Sequence, residues 1–145
     1  MSKTNSSTTN CGYLIKQISD GIGKRANNQL RQQGLTLMQA NIMGFLHARG
    51  TDVPLKEIEA EYRISQPTVS GLCHRMEEKG LIELLTDPSN RSAKTARLTE
   101  KGEALNREAE KETADMERIL MKGVDEARIQ ELQTVLRKML KNLNS

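Results

Sequence analysis

Apolar residues recur at helical spacing near the start of the chain. Leu14, Ile15, Ile18, Ile22, Ala26 and Leu30 mark one face of a helix predicted over 13–33, and Gly34 suits its C-terminal stop. Thr36 can cap a second helix over 37–49, closed by Gly50. There Leu37, Met38, Ala40, Ile42, Met43, Phe45 and Leu46 leave little polar face, the pattern of a central, buried element. Thr51 or Asp52 is expected to begin a short third helix, with Pro54 in its first turn and Leu55, Ile58 and Tyr62 on one side. Ser65 then caps a fourth helix, with Pro67 in its first turn, Val69, Leu72, Cys73 and Met76 facing inward, and Gly80 as the stop.

Past Gly80 the period shortens from that of a helix to that of a strand. Residues 81–86 and 94–98 read as two short strands, separated by the turn-forming Asp87-Pro88-Ser89-Asn90. Thr99 caps a fifth helix whose apolar positions are sparse (Leu105, Ala109, Met116, Ile119, Leu120) and which Gly123 breaks. The last helix carries Ile129, Leu132, Leu136, Met139 and Leu143 in alternating steps of three and four, a heptad-like seam. The fold class is therefore mostly α with a small β-hairpin. Two short helices joined by a tight turn and followed by that hairpin describe a winged helix-turn-helix.

The fourth helix begins with an unusual crowd of small and polar side chains. Gln66, Ser70 and His74 share one face, with Thr68 and Gly71 beside them, while Val69, Leu72, Cys73 and Met76 occupy the other. One face can pack while the other reads base edges, because a helix entering the major groove presents its N-terminal turns to the bases. The free N–H groups around Ser65–Thr68 favour a phosphate. In the hairpin, Arg91 and Lys94 lie at or beside the loop tip, where a cation can follow the backbone or enter the minor groove.

Composition narrows the field further. The 145 residues suffice for one domain with a real core, and 36% hydrophobic with 28% charged residues is a folded, helix-rich balance. Net charge is only +3, but residues 1–34 carry five Lys/Arg against one acid and 62–101 carry seven against five, a bias that fits an anionic partner. Two cysteines and two histidines show no metal-ligand spacing, and no catalytic Ser/His/Asp set, paired-carboxylate motif or phosphate-binding glycine loop is present. No enzyme, cofactor, metal or membrane partner is therefore expected, and the polar 1–12 segment reads as a flexible arm of a cytoplasmic protein.

The stretch LKEIEAEYRISQPTVSGLCHRMEEKGLIE…DPSNRS…LTEKG resembles the MarR (multiple antibiotic resistance regulator) family of bacterial transcription factors, with the likeness of element order running over 13–145. The resemblance implies a homodimer joined by N- and C-terminal helices, about 13–33 and 103–145, with one winged helix-turn-helix lobe per subunit, about 36–101. Leu14, Ile129, Leu132, Leu136, Met139 and Leu143 would belong to the dimer helices. By the same resemblance Gln66, Pro67, Thr68, Ser70, Gly71 and His74 match base-facing positions, and Ser65 and Arg75 match phosphate-facing ones. The wing departs from the family pattern of acid, variable residue, arginine: here Asn90-Arg91-Ser92 stands, leaving Arg91 and Lys94 as its cations, and Leu84 and Leu85 replace more polar residues on the first wing strand.

The family also implies a small anionic or aromatic effector bound between dimer helices and DNA-binding lobe, with a lining drawn from Ile15, Ile18, Ile22, Met38, Ile42 and His47. The expected protein is a ligand-responsive repressor on a pseudo-palindromic duplex operator, associated with the nucleoid when bound. Two alternatives stand beside it: from a different class, a winged-helix protein-interaction module that does not read DNA, and, within the same family, a redox sensor using Cys11 just before the first helix. Cys73, on the packed face of the fourth helix, reads as a small buried hydrophobe.

Overall fold

The computed structural model describes residues 10–145, together with their side chains except those of Asp87, Arg91 and Ser92, so positions 1–9 of the expected arm lie outside the described residues. Helix α1 runs Cys11–Gln32 and is capped by the Asn10 side chain, which accepts from the Tyr13 amide at 2.7 Å. Helix α2 (Leu37–Arg49) is the central element that its apolar sequence predicts: Ile42, Met43 and Leu46 are buried. It starts with a reciprocal capping box, in which Gln39 N–H donates to Thr36 Oγ1 at 3.2 Å and Thr36 N–H donates to Gln39 Oε1 at 3.1 Å. That box also gives the buried Gln39 amide its partner.

The expected start of the third helix is corrected. Val53–Pro54 form a short strand, β1, and α3 begins only at Leu55 and ends at Tyr62. A residue before proline is disfavoured in the helical region and pushed toward extended backbone, which Val53 adopts here. It pairs with Ala96 instead, is fully buried, and leaves Pro54 at the sheet edge, where a missing N–H costs nothing.

Arg63 turns the chain through the left-handed region (φ 51°) and Ile64 N–H closes on Glu59 O at 3.2 Å, which brings in α4 (Gln66–Glu78) after a turn of three residues. Gly80 (φ 75°) ends that helix and feeds β2 (Ile82–Asp87), which pairs antiparallel with β3 (Asn90–Leu98). The hairpin is thus the central and one edge strand of a three-stranded sheet of order β1-β3-β2. Val69, Cys73 and Met76 of α4 join Ile42, Met43, Val53, Ile58, Ile82 and Ala96 in one core.

Helix α5 (Glu100–Leu120) starts as expected with Thr99, whose hydroxyl accepts from Gly102 N–H at 3.1 Å and donates to Gly80 O at 2.6 Å. A Cβ on Gly102 would stand 2.1 Å from Leu81 O and 2.9 Å from Leu98 Cδ2, so the first turn of α5 can meet the α4–β2 junction only through a glycine. The chain divides into two compact units, Met1–Ala109 and Glu110–Ser145. The first holds the helix-turn-helix and the sheet. The second holds the later part of α5, a turn at Gly123 (φ 83°), and α6 (Glu126–Leu143), capped by Asp125, whose carboxylate accepts from Arg128 N–H at 3.0 Å.

Candidate nucleic-acid interface

Helix α4 owes its start to hydroxyl chemistry. Ser65 Oγ accepts from the Thr68 amide at 3.4 Å and lies 2.9 Å from Thr68 Oγ1, while Pro67 sits in the first turn, where its missing N–H would have had no helical partner. Val69, Leu72, Cys73 and Met76 are buried; Gln66, Pro67, Thr68, His74 and Arg75 are exposed, and Ser70 and Gly71 are partly so. The division read from the sequence is therefore physical, and the anchored side fixes which way the polar side faces. Burial pushes the Cys73 thiol up to about 11, which keeps it neutral and unreactive.

Two side chains on the outward face have defined positions that the sequence does not give. His74 Nδ1 lies 2.7 Å from Ser70 O. A carbonyl can only accept, so Nδ1 is the donor in this contact. The Arg75 guanidinium reaches back one turn: a Cβ placed on Gly71 would lie 3.7 Å from its Nη1 and 3.8 Å from its Nη2.

In the wing, alternation puts Ile82, Leu84, Ala96 and Leu98 on the core side, and Lys94 opposite Thr86 on that same side. Pairing then jumps from Thr86↔Lys94 to Asp87↔Asn90, so the backbone at Arg91, Ser92 and Ala93 has no counterpart on β2. The side chains of Arg91 and Ser92 lie outside the described residues. Arg97, which the sequence did not single out, stands on the outer face opposite Glu83. It donates to Glu83 Oε2 from Nε at 3.0 Å and from Nη2 at 2.8 Å, with Asp52 3.9 Å away, and the Glu83 hydrogen bonds and charge raise its pKa further. The signal for this pair was available in the strict alternation of β2 and β3, with opposite charges at facing positions.

The residues expected to line an effector site do not form one open wall. Ile42 is fully enclosed and is a core residue, and Met38 packs against that core. Ile15 and Ile18 are exposed on α1, Ile22 is partly buried, and His47 is exposed, its Nδ1 donating to Glu103 Oε2 at 2.7 Å. Among the expected dimer-helix residues, Leu14, Leu132, Leu136 and Leu143 are exposed, Ile129 and Met139 are partly buried, and α6 buries no residue fully. Cys11 is an exposed free thiol in the first turn of α1. Among the described residues, no helix is long and apolar enough to cross a membrane, and no three metal-ligating side chains cluster.

Paired helices α3 and α4, the tight Arg63 turn between them and the antiparallel wing behind them make this a winged helix-turn-helix protein. The family model for the MarR family matches residues 33–91, from the end of α1 to the wing. The structure of MepR, a transcription regulator of the Staphylococcus aureus multidrug efflux pump MepA, superposes with a TM-score of 0.80 at 28% identity, covering 92% of this chain and 98% of that one. The S. aureus MepR–DNA complex matches with a TM-score of 0.73 at 27% identity over 92% of this chain and 98% of its own. The structure of MarR, at 20% identity and a TM-score of 0.76 over 99% of this chain and 94% of that one, adds the likeness of fold. Residues 33–91 thus match the MarR family, and the chain has the fold of its transcription regulators.

Proposed function

We propose that this protein is a homodimeric, duplex-DNA-binding transcriptional regulator, a repressor that a small anionic or aromatic effector releases from a pseudo-palindromic operator. The observation that carries the reading is the division of α4: a fully anchored apolar side, and an outward side of small, amide, hydroxyl, imidazole and guanidinium groups. Gln66, Thr68, Ser70 and His74 would meet base edges, Ser65 and the α4 N-terminus a phosphate, and Asn90, Arg91, Ser92 and Lys94 the backbone beside the wing. The MepR–DNA complex is a related protein with DNA bound. The exposed Leu132, Leu136, Leu140 and Leu143 of α6, with Leu14, Ile15 and Ile18 of α1, are apolar surface for a second copy to cover.

Two-fold symmetry would space the recognition helices about one DNA turn, ~34 Å, apart. An effector that prefers a dimer with the wrong spacing a hundredfold would weaken operator binding by about 2.7 kcal/mol. Fluorescence anisotropy against duplex fragments from the DNA flanking the gene tests the reading. Saturable binding to one inverted repeat, with log K falling linearly as log salt rises, is expected. Equal affinity for every duplex at physiological salt would sink it.

A further inference from the structure

Arg75 is an exposed arginine on the outward side of α4. Arg49, Arg97 and Arg118 each engage a carboxylate, on Glu57, Glu83 and Asp115, whereas Arg75 engages none among the described residues. Side chains on a helix lean toward its N-terminus, so Arg75 covers the turn that holds position 71. That position is a glycine, and the two terminal nitrogens lie almost equally far from where its Cβ would stand, 3.7 and 3.8 Å. The fork, not the stem, fills the space left by the missing side chain.

That space is close to the middle of the outward face. At about 100° per residue, Pro67, Gly71, His74 and Glu78 lie opposite the stripe of Val69, Leu72, Cys73 and Met76. Position 75 itself lies toward the edge, and the resemblance to the family matches it to a phosphate contact. The folded-back guanidinium moves the charge from that edge to the centre.

We infer that Arg75 reads a base rather than a phosphate: its guanidinium, seated over Gly71, takes a guanine in the major groove of each operator half-site. The inference rests on the proposed reading of α4 as the groove-entering helix. Guanidinium offers only donors, in a planar fork, and guanine is the base whose major-groove edge presents two neighbouring acceptors, O6 and N7. A lysine in the same place would keep the charge but lose the fork. A larger residue at 71 would keep Arg75 but deny it the seat.

Binding-site selection from randomised duplexes, run with the parent protein, Arg75→Lys, Arg75→Ala and Gly71→Leu, tests this. The parent should select guanine at one symmetry-related position of each half-site. All three variants should lose that preference and keep the rest of the motif. Placing 7-deazaguanine at that position, which removes N7, should weaken the parent about tenfold and leave Arg75→Ala unchanged. A parent motif that survives intact in all three variants, with every sequence weakened alike by Arg75→Ala and its salt slope reduced by about 0.9, would make Arg75 a phosphate contact and overturn the inference alone. A parent protein that selects no motif would overturn the DNA-binding reading itself, and this inference with it.

Discussion

Gly102 and Gly71 show how differently two helical glycines can be used. Gly102 lies where a Cβ would come within 2.1 Å of a backbone carbonyl, whereas at Gly71 the nearest atoms are the far end of a flexible arginine, 3.7 Å away. Gly102→Ala should therefore destabilise by about 1–3 kcal/mol through overpacking. Gly71→Ala should be neutral or gain up to about 1 kcal/mol of helix propensity. Urea midpoints of the two variants check both signs. The sequence shows both residues inside predicted helices but not this difference, since the contact that restricts Gly102 comes from Leu81, 21 positions earlier. Cys73, by contrast, was legible from the spacing of its neighbours, and its burial carries a pH signature. Its thiol is raised from 9.0 to about 11, so the unfolded chain ionises first as pH rises. Its contribution to stability is fully present below pH 9 and is lost by about pH 11. Over that window the parent should lose on the order of 2 kcal/mol relative to Cys73→Ala, measured by denaturant unfolding of both proteins at each pH.

At the scale of elements, the helices other than α3 were readable because their starts and stops are written in the sequence. Thr36, Ser65, Thr99, Gly50 and Gly80 all act at the helix ends where the pattern puts them. Removing one such signal should cost a local, moderate amount: Thr36→Ala breaks the reciprocal box with Gln39 and should lower stability by about 0.5–2 kcal/mol, read as a fall in the thermal midpoint without a change in fold. Strand β1 was not readable in the same way. Two residues have no period, and Val53 and Pro54 become a strand only through Ala96 and Thr95, more than forty positions later. The wing was legible as a hairpin, but the jump in register that leaves Arg91–Ala93 unmatched has no signal in the alternation of the sequence.

For the whole molecule, the proposed assembly follows from apolar surface that one chain leaves open. The heptad-like seam of the last helix was legible in the sequence, and on α6 its leucines remain exposed, Leu136 at 42% and Leu143 at 82%. In the proposed dimer the cover of that seam comes from a second chain, so the fold of one chain does not show it. Leu132→Glu combined with Leu136→Glu should convert the proposed dimer to a monomer in sedimentation, and should reduce affinity for a full inverted repeat far more than for a single half-site. The most direct measurement of the central claim is a competition titration. Unlabelled duplex carrying the selected inverted repeat and the same duplex with both half-sites scrambled are each used to displace a labelled operator at physiological salt. The account predicts that the intact repeat competes at least a thousandfold better, on the order of 4 kcal/mol, and that Ser70→Ala with Arg75→Ala removes most of that ratio. Equal competition by the two duplexes would contradict it.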